Sequence, residues 1–326
     1  MRSLFAVGIF TISFIVSAQN GNDTLRSHRV MSDTTDINKT TKGSTENFYK
    51  TDSIFSFQSP KGYFPSLFHN IIQQADAPFH FSGKEWIITG VSVVITVALF
   101  QVDDEVDEWA KVQKQDHAWV NKVSPAITRL GGDIGLYSVI GFGLGSAAFH
   151  NQKGVQTSLL ATQAMITSGI WARLIKLMTG RERPMAAYTN SKSESGHWYG
   201  PFAMIDQDLA VKKPRSSFDS FPSGHTATAF SIASVFAIQY KDIKAVPIIS
   251  YSLATLVGIS RLTEHEHWAS DVFVGGLLGW ACGKQVTTAF NKLHSGKTAS
   301  NHSDSKIKPE VTVIQNGNKV GLSVVF

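Results

Sequence analysis

From residue 86 to residue 290 the chain alternates long apolar runs with short polar connections. Six runs stand out: Trp86 to Val102, Ile134 to Phe149, Thr157 to Thr179, Thr226 to Tyr240, Ala245 to Ile259 and Val272 to Phe290. Each is too long for an ordinary strand and predicts a helix. Most are at or below the roughly 20 residues that cross a hydrocarbon core, and Arg173 sits inside the third. Small residues recur within them, at Gly141, Gly143 and Gly145 and again at Gly275, Gly279 and Gly283. This is spacing that lets helix backbones approach closely. The expected fold is all-α, a six-helix bundle embedded in a membrane, with a β-hairpin-like tail.

The flanks read differently. A basic start at Arg2 leads into an apolar stretch from Leu4 to Val16 and then Ser17-Ala18, so residues 1–18 read as a secretory signal peptide. Residues 19–65 are expected to be a disordered linker, because Asn20 to Asp52 is polar and shows no hydrophobic period. Residues 66–294 form the helical domain. Residues 295–326 are a polar linker and a hairpin, since Val311 to Gln315 and Lys319 to Phe326 flank the turn dipeptide Asn316-Gly317.

Composition supports a membrane or a heavily buried bundle: 43% of the 326 residues are hydrophobic and only 17% charged, below the roughly 25% of soluble domains. The net charge of +5 favours anionic partners. Cys282 is the only cysteine, which excludes an intrachain disulfide.

Three polar clusters lie at the ends of the apolar runs: Lys176 with Arg183-Pro184, then Pro222-Ser223-Gly224-His225, then Ser260-Arg261 followed by His267 and Asp271. Taken singly they read as an interface anchor, a helix cap and a structural histidine. Segment parity joins them. If the third run ends on one side, the fourth begins there, the fifth ends there and the sixth begins there. Lys176, Arg183 and Arg261 then offer three cations to phosphoryl oxygens, with planar bidentate donors on the arginines. Ser223 and Gly224 precede a helix whose N-terminus favours an anion. With His267 and Asp271 four apart, on one face if helical, the carboxylate would accept from one ring nitrogen and leave the other free as a nucleophile, with His225 as acid.

This set resembles the type 2 phosphatidic acid phosphatase superfamily, whose pattern is Lys, six residues, Arg-Pro; Pro-Ser-Gly-His; and Ser-Arg, five residues, His, three residues, Asp. Every position is present between Lys176 and Asp271. The resemblance implies that His267 is the nucleophile, Asp271 its orienting partner and His225 the general acid. It makes Lys176, Arg183, Ser223, Gly224 and Arg261 the phosphate cradle, and it implies no metal or cofactor. The implied activity is hydrolysis of a lipid phosphate monoester or isoprenyl diphosphate in the cell envelope. The partners expected are an anionic lipid phosphate and a membrane, and not nucleic acid.

Rival readings are a soluble exported acid phosphatase, a vanadate-dependent haloperoxidase, whose longer motif spacing is absent, and a non-catalytic scaffold, which the complete set argues against. A metal site at Glu264, His265 and Asp271 lacks ligand spacing. His197 falls in a long connection, Met185 to Phe221, placed to cap the site. Lys84, Lys153, Lys241 and Lys244 gather at the opposite ends of the runs, which puts the site outside by the positive-inside rule. A cleaved signal followed by six spans would put it inside. The outward site is the reading kept.

Overall fold

A computed structural model describes residues 60–189, 192–193, 195, 197–303, 310–316 and 319–325. The expected signal peptide and the linker up to residue 59 lie outside the described residues. Contacts divide the chain into two units, residues 1–287 and 288–326.

Among the described residues the first unit is almost wholly helical. Its elements are α1 (Pro60–Asp76), α2 (Gly83–Asp116), α3 (Ala118–Thr128), α4 (Asp133–Ala148), α5 (Gln152–Thr179), α6 (Gln207–Lys212), α7 (Gly224–Gln239), α8 (Ala245–Thr263) and the start of α9 (Ala269–Ser303). Each of the six apolar runs falls on a helix, but among the described residues there are nine α-helices rather than six. The connection between the first two apolar runs, residues 103–133, is mostly helix, because α2 continues to Asp116 and α3 follows at once. Between α5 and α6 a two-residue ladder pairs β1 (Tyr188–Thr189) with β2 (Lys192–Ser193).

Helix α1 begins at Pro60, inside the segment expected to be disordered to residue 65. Proline at a helix start costs no hydrogen bond and pre-sets the backbone angle. The helix is built inside out. Ser66, Asn70 and Gln74 are buried at four-residue spacing, whereas Phe64 and Phe68 are 64% and 65% exposed. Inside, Asn70 donates to Gln163 at 3.0 Å, Gln74 to Gln285 at 2.8 Å, and the Trp171 ring nitrogen to Gln74 at 3.0 Å. Helix α2, opened by a capping box between Ser82 and Glu85, repeats the inversion. It buries Thr89, Ser92, Thr96, Asp103 and Asp107 and presents Ile87, Val91, Val94 and Val97 outward. Both α2 and α8 are long and apolar enough to cross a membrane.

The glycines of α9 do what their spacing predicts. A β-carbon at Gly279 would lie 2.0 Å from the Ala227 carbonyl oxygen. One at Gly275 would lie 2.5 Å from that of Ser223, so α7 and α9 meet backbone to backbone. The α4 set does so only in part, since Gly143 abuts Ser158 while Gly141 and Gly145 face open space.

In the second unit, β3 (Glu310–Asn316) pairs antiparallel with β4 (Lys319–Val325), with Asn316 opposite Lys319.

Candidate active site

The first cluster is set by the end of α5. Lys176 is buried in its last turn, and Gly180 closes the helix in the left-handed region at φ 55°, its amide donating to the Lys176 carbonyl. A β-carbon there would strike Gly200 at 2.5 Å, so glycine is required for the turn that delivers Arg181, Glu182 and Arg183.

The second cluster opens α7. Pro222 follows Phe221 through a cis peptide, and Ser223 is the N-cap. Its amide donates to the Asp271 carbonyl at 3.0 Å, and its hydroxyl accepts from Thr226 at 2.9 Å. Ser223 therefore ties α7 to α9, while the amides of the first helical turn remain the donors available to an anion. A β-carbon on Gly224 would meet only the Lys176 side chain, at 4.0 Å, which leaves room beside that ammonium.

The third cluster corrects one expectation. His267 and Asp271 do not share a helical face, because α8 ends at Thr263, α9 begins at Ala269, and His267 lies in the bend between them. Asp271 sits in the first turn of α9 and caps the bend, accepting from the Trp268 amide at 2.9 Å and the Ser220 hydroxyl at 2.5 Å. His267 is buried with its Nδ1 3.7 Å from Asp271, too far for a hydrogen bond, and that nitrogen has no partner.

All three clusters converge. Lys176 donates to the Asp219 carbonyl, Arg183 holds the Asp219 carboxylate at 2.6 Å, and Arg261 reaches Glu264. Glu266 contacts Arg183 and lies 3.5 Å from Arg261, so one carboxylate stands between two cradle arginines. His265, outside the pattern, is at φ 56° and is tethered to Asp107 at 2.8 Å. His197 pairs with Glu182 at 3.1 Å.

Sequence reasoning missed Arg181, which is 1% exposed. It donates to Asp271 and to Ser270, each at 2.6 Å, and to Asp103 of α2 at 2.7 Å. Its guanidinium stacks against Trp198, Phe100 and Trp268. Asp103 in turn accepts from the Ser270 amide at 2.9 Å and hydroxyl at 2.5 Å. The available signal was the acidic pair Asp103-Asp104 at the end of an apolar run, since a charge at such a place needs a partner.

Burial pushes His267 well below the usual histidine value; Lys176 and Arg183 add to this and Asp271 opposes it. His225 is pushed down to about 4 by burial and by Arg261, Lys176 and Arg183. Burial alone would raise Asp271, but Arg181 beside it and the Ser220 hydrogen bond hold its carboxyl below the usual carboxylate range. Among the described residues no group of three or more His, Cys, Asp or Glu could hold a metal ion.

Three cations and a helix N-terminus converge with two imidazoles whose protonation burial disfavours, an arrangement suited to an anion. Residues 157–295 match the PAP2 superfamily, a segment that spans all three clusters, from Lys176 to Asp271. It is 42% identical over 67 residues to a lipid A 1-phosphatase of Porphyromonas gingivalis, covering 20% of this chain and 15% of that one. It is 30% identical to a probable diacylglycerol pyrophosphate phosphatase of Schizosaccharomyces pombe, over 35% of this chain and 46% of that one. Against the phosphatidylglycerophosphatase B of Bacillus subtilis it is 28% identical, over 58% and 83%. The chain thus spans less than half the length of the first two. A crystal structure of a transmembrane PAP2 type phosphatidylglycerolphosphate phosphatase from Bacillus subtilis aligns over 62% of this chain and 96% of its own. Its TM-score is 0.42 and its identity 21%, a distance at which it bears on neither fold nor site.

Proposed function

We propose that this chain is a membrane phosphatase hydrolysing a lipid phosphate monoester or isoprenyl diphosphate through a phosphohistidine, without a metal. The observation that carries the reading is the convergence of Lys176, Arg183 and Arg261 with His267 and Asp271 at the N-terminus of α7. The lipid comes from the relatives, which are lipid phosphatases by name. The membrane comes from the inverted burial of α1 and α2, where apolar side chains face outward and polar ones inward.

The phosphoryl oxygens take the three cations and the α7 amides, displacing the carboxylates that partner the arginines. His267, neutral because it is buried, attacks phosphorus as the bond to the leaving oxygen breaks. With Nε2 bonded to phosphorus and the proton kept on Nδ1, the ring becomes an imidazolium, which Asp271, 3.7 Å from Nδ1, stabilises after a small approach. His225 gives its proton to the departing alkoxide. Burial and the nearby Arg261, Lys176 and Arg183 push His225 down to about 4, so it charges as the phosphate brings negative charge beside it. Water then attacks phosphorus, His225 takes back a proton, and the P–N bond breaks to release phosphate and free His267. The site faces outward, away from Lys84, Lys153, Lys241 and Lys244.

The test is His267→Ala on a lipid phosphate in the presence of a chelator. Wild-type turnover is expected to survive chelation, to be blocked by vanadate and to yield a base-stable, acid-labile phosphohistidine. Retained turnover in the variant, or loss on chelation restored by a divalent ion, would refute the reading.

A further inference from the structure

We infer that Arg181 and Asp103 are positioning residues for the nucleophile: Asp103 and Arg181 hold Asp271 by hydrogen bonds, and Asp271 faces His267 across 3.7 Å, so that the catalytic pair is completed by helix α2. The inference rests on the proposed phosphohistidine chemistry.

The geometry carries it. Asp271 has one oxygen on Arg181 and the other on Ser220 and the Trp268 amide, so its position is fixed before any substrate binds. Arg181 spans two carboxylates with its two terminal nitrogens, and its ring-stacked guanidinium cannot swing away to join the cradle. Asp103 accepts from both amide and hydroxyl of Ser270, the residue before Asp271, and so pins the first turn of α9 from a helix outside the PAP2 segment. A buried Arg bonded to Asp271 alone would draw its charge away from His267. Asp103 shares that arginine, and the four groups together carry one net negative charge while His267 is neutral. This is the charge that compensates the imidazolium formed during attack.

The other charged groups acting on His267 are Lys176 on α5 and Arg183 after it, both partnered by Asp219; His225 on α7, Arg261 on α8, and Glu264 and Glu266 in the bend belong to the same cluster. All remain in place when Asp103 or Arg181 is changed. The two substitutions therefore move His267 in opposite directions. Asp103→Asn removes a negative charge and lowers its proton affinity. Arg181→Gln removes a positive charge and raises it.

The experiment is the pH profile of kcat/KM on a soluble aryl phosphate for wild type, Asp103→Asn and Arg181→Gln, with vanadate affinity measured by calorimetry. Both variants are expected to lose at least tenfold in kcat with vanadate affinity within threefold. The acid limb should move up by about one pH unit in Arg181→Gln and down in Asp103→Asn. Ser270→Ala, which loosens the tether without changing charge, should lower kcat and leave the limb in place. Limbs that coincide in all variants, or shift in the same direction, overturn the inference, as does a loss confined to melting temperature. Turnover retained in His267→Ala overturns both the inference and the reading beneath it.

Discussion

Glu266→Gln should tighten the binding of vanadate and of product phosphate. The Glu266 carboxylate contacts Arg183 and lies 3.5 Å from Arg261, and an incoming anion has to displace it from both. At 3.5 Å and an effective dielectric of 20, one unit pair is worth about 5 kcal/mol. Glu266 is 23% exposed, so water screens part of that, and exposed pairs fall to about 0.2–1 kcal/mol. A value between these limits, roughly 1.5–2.5 kcal/mol, corresponds to about 10- to 70-fold tighter binding in the glutamine variant. Titration calorimetry with vanadate at low salt reads this directly, and the gap should narrow at high salt, where the ion pair is screened. Without vanadate the variant should melt lower, because two arginines lose their shared carboxylate, and vanadate should raise its melting temperature more than it raises that of wild type. Unchanged or weakened vanadate affinity would refute the displacement argument.

Asp271→Asn should slow turnover by about a thousandfold or more while vanadate affinity stays within a few-fold, since the cradle is untouched; single-turnover and binding measurements separate the two. Arg183→Lys should do the reverse, weakening the anion by about tenfold as a bidentate donor becomes a point charge. His225→Ala should cost far more on an alkyl or lipid phosphate than on para-nitrophenyl phosphate, whose leaving group needs no proton, and equal losses would make His225 a binding group. Because burial and the neighbouring cations push His225 down to about 4, vanadate binding at pH 7 should take up a proton in wild type and none through this residue in His225→Ala, which calorimetry in buffers of different ionisation heat measures. Gly279→Val should destabilise the fold by several kcal/mol, because its β-carbon would overlap the Ala227 carbonyl.

Motif spacing and segment parity were enough to bring Lys176, Arg183, Ser223, His225, Arg261, His267 and Asp271 to one end of the helices. What escaped was either inverted or long-range. Helix α1 was hidden because its outward Phe64 and Phe68 and inward Asn70 and Gln74 look, in a soluble frame, like a polar segment with stray aromatics. The relation of His267 to Asp271 was misread because a carboxylate capping a bend and one on a helical face have the same four-residue spacing. Arg181 was overshadowed by Arg183 two residues on, and its partner Asp103 is 78 residues away, a separation that no local pattern encodes.

The interior of α1 has a consequence for how that helix finds its place. Its outward residues are indifferent to position, since one apolar side chain suits hydrocarbon as well as the next. Placement is left to Asn70 and Gln74, whose amides fit Gln163, Gln285 and Trp171 at a single register. A slide of one turn would strand several of those amides at once, so the helix has a single stop along its track, defined by hydrogen bonds rather than by grease.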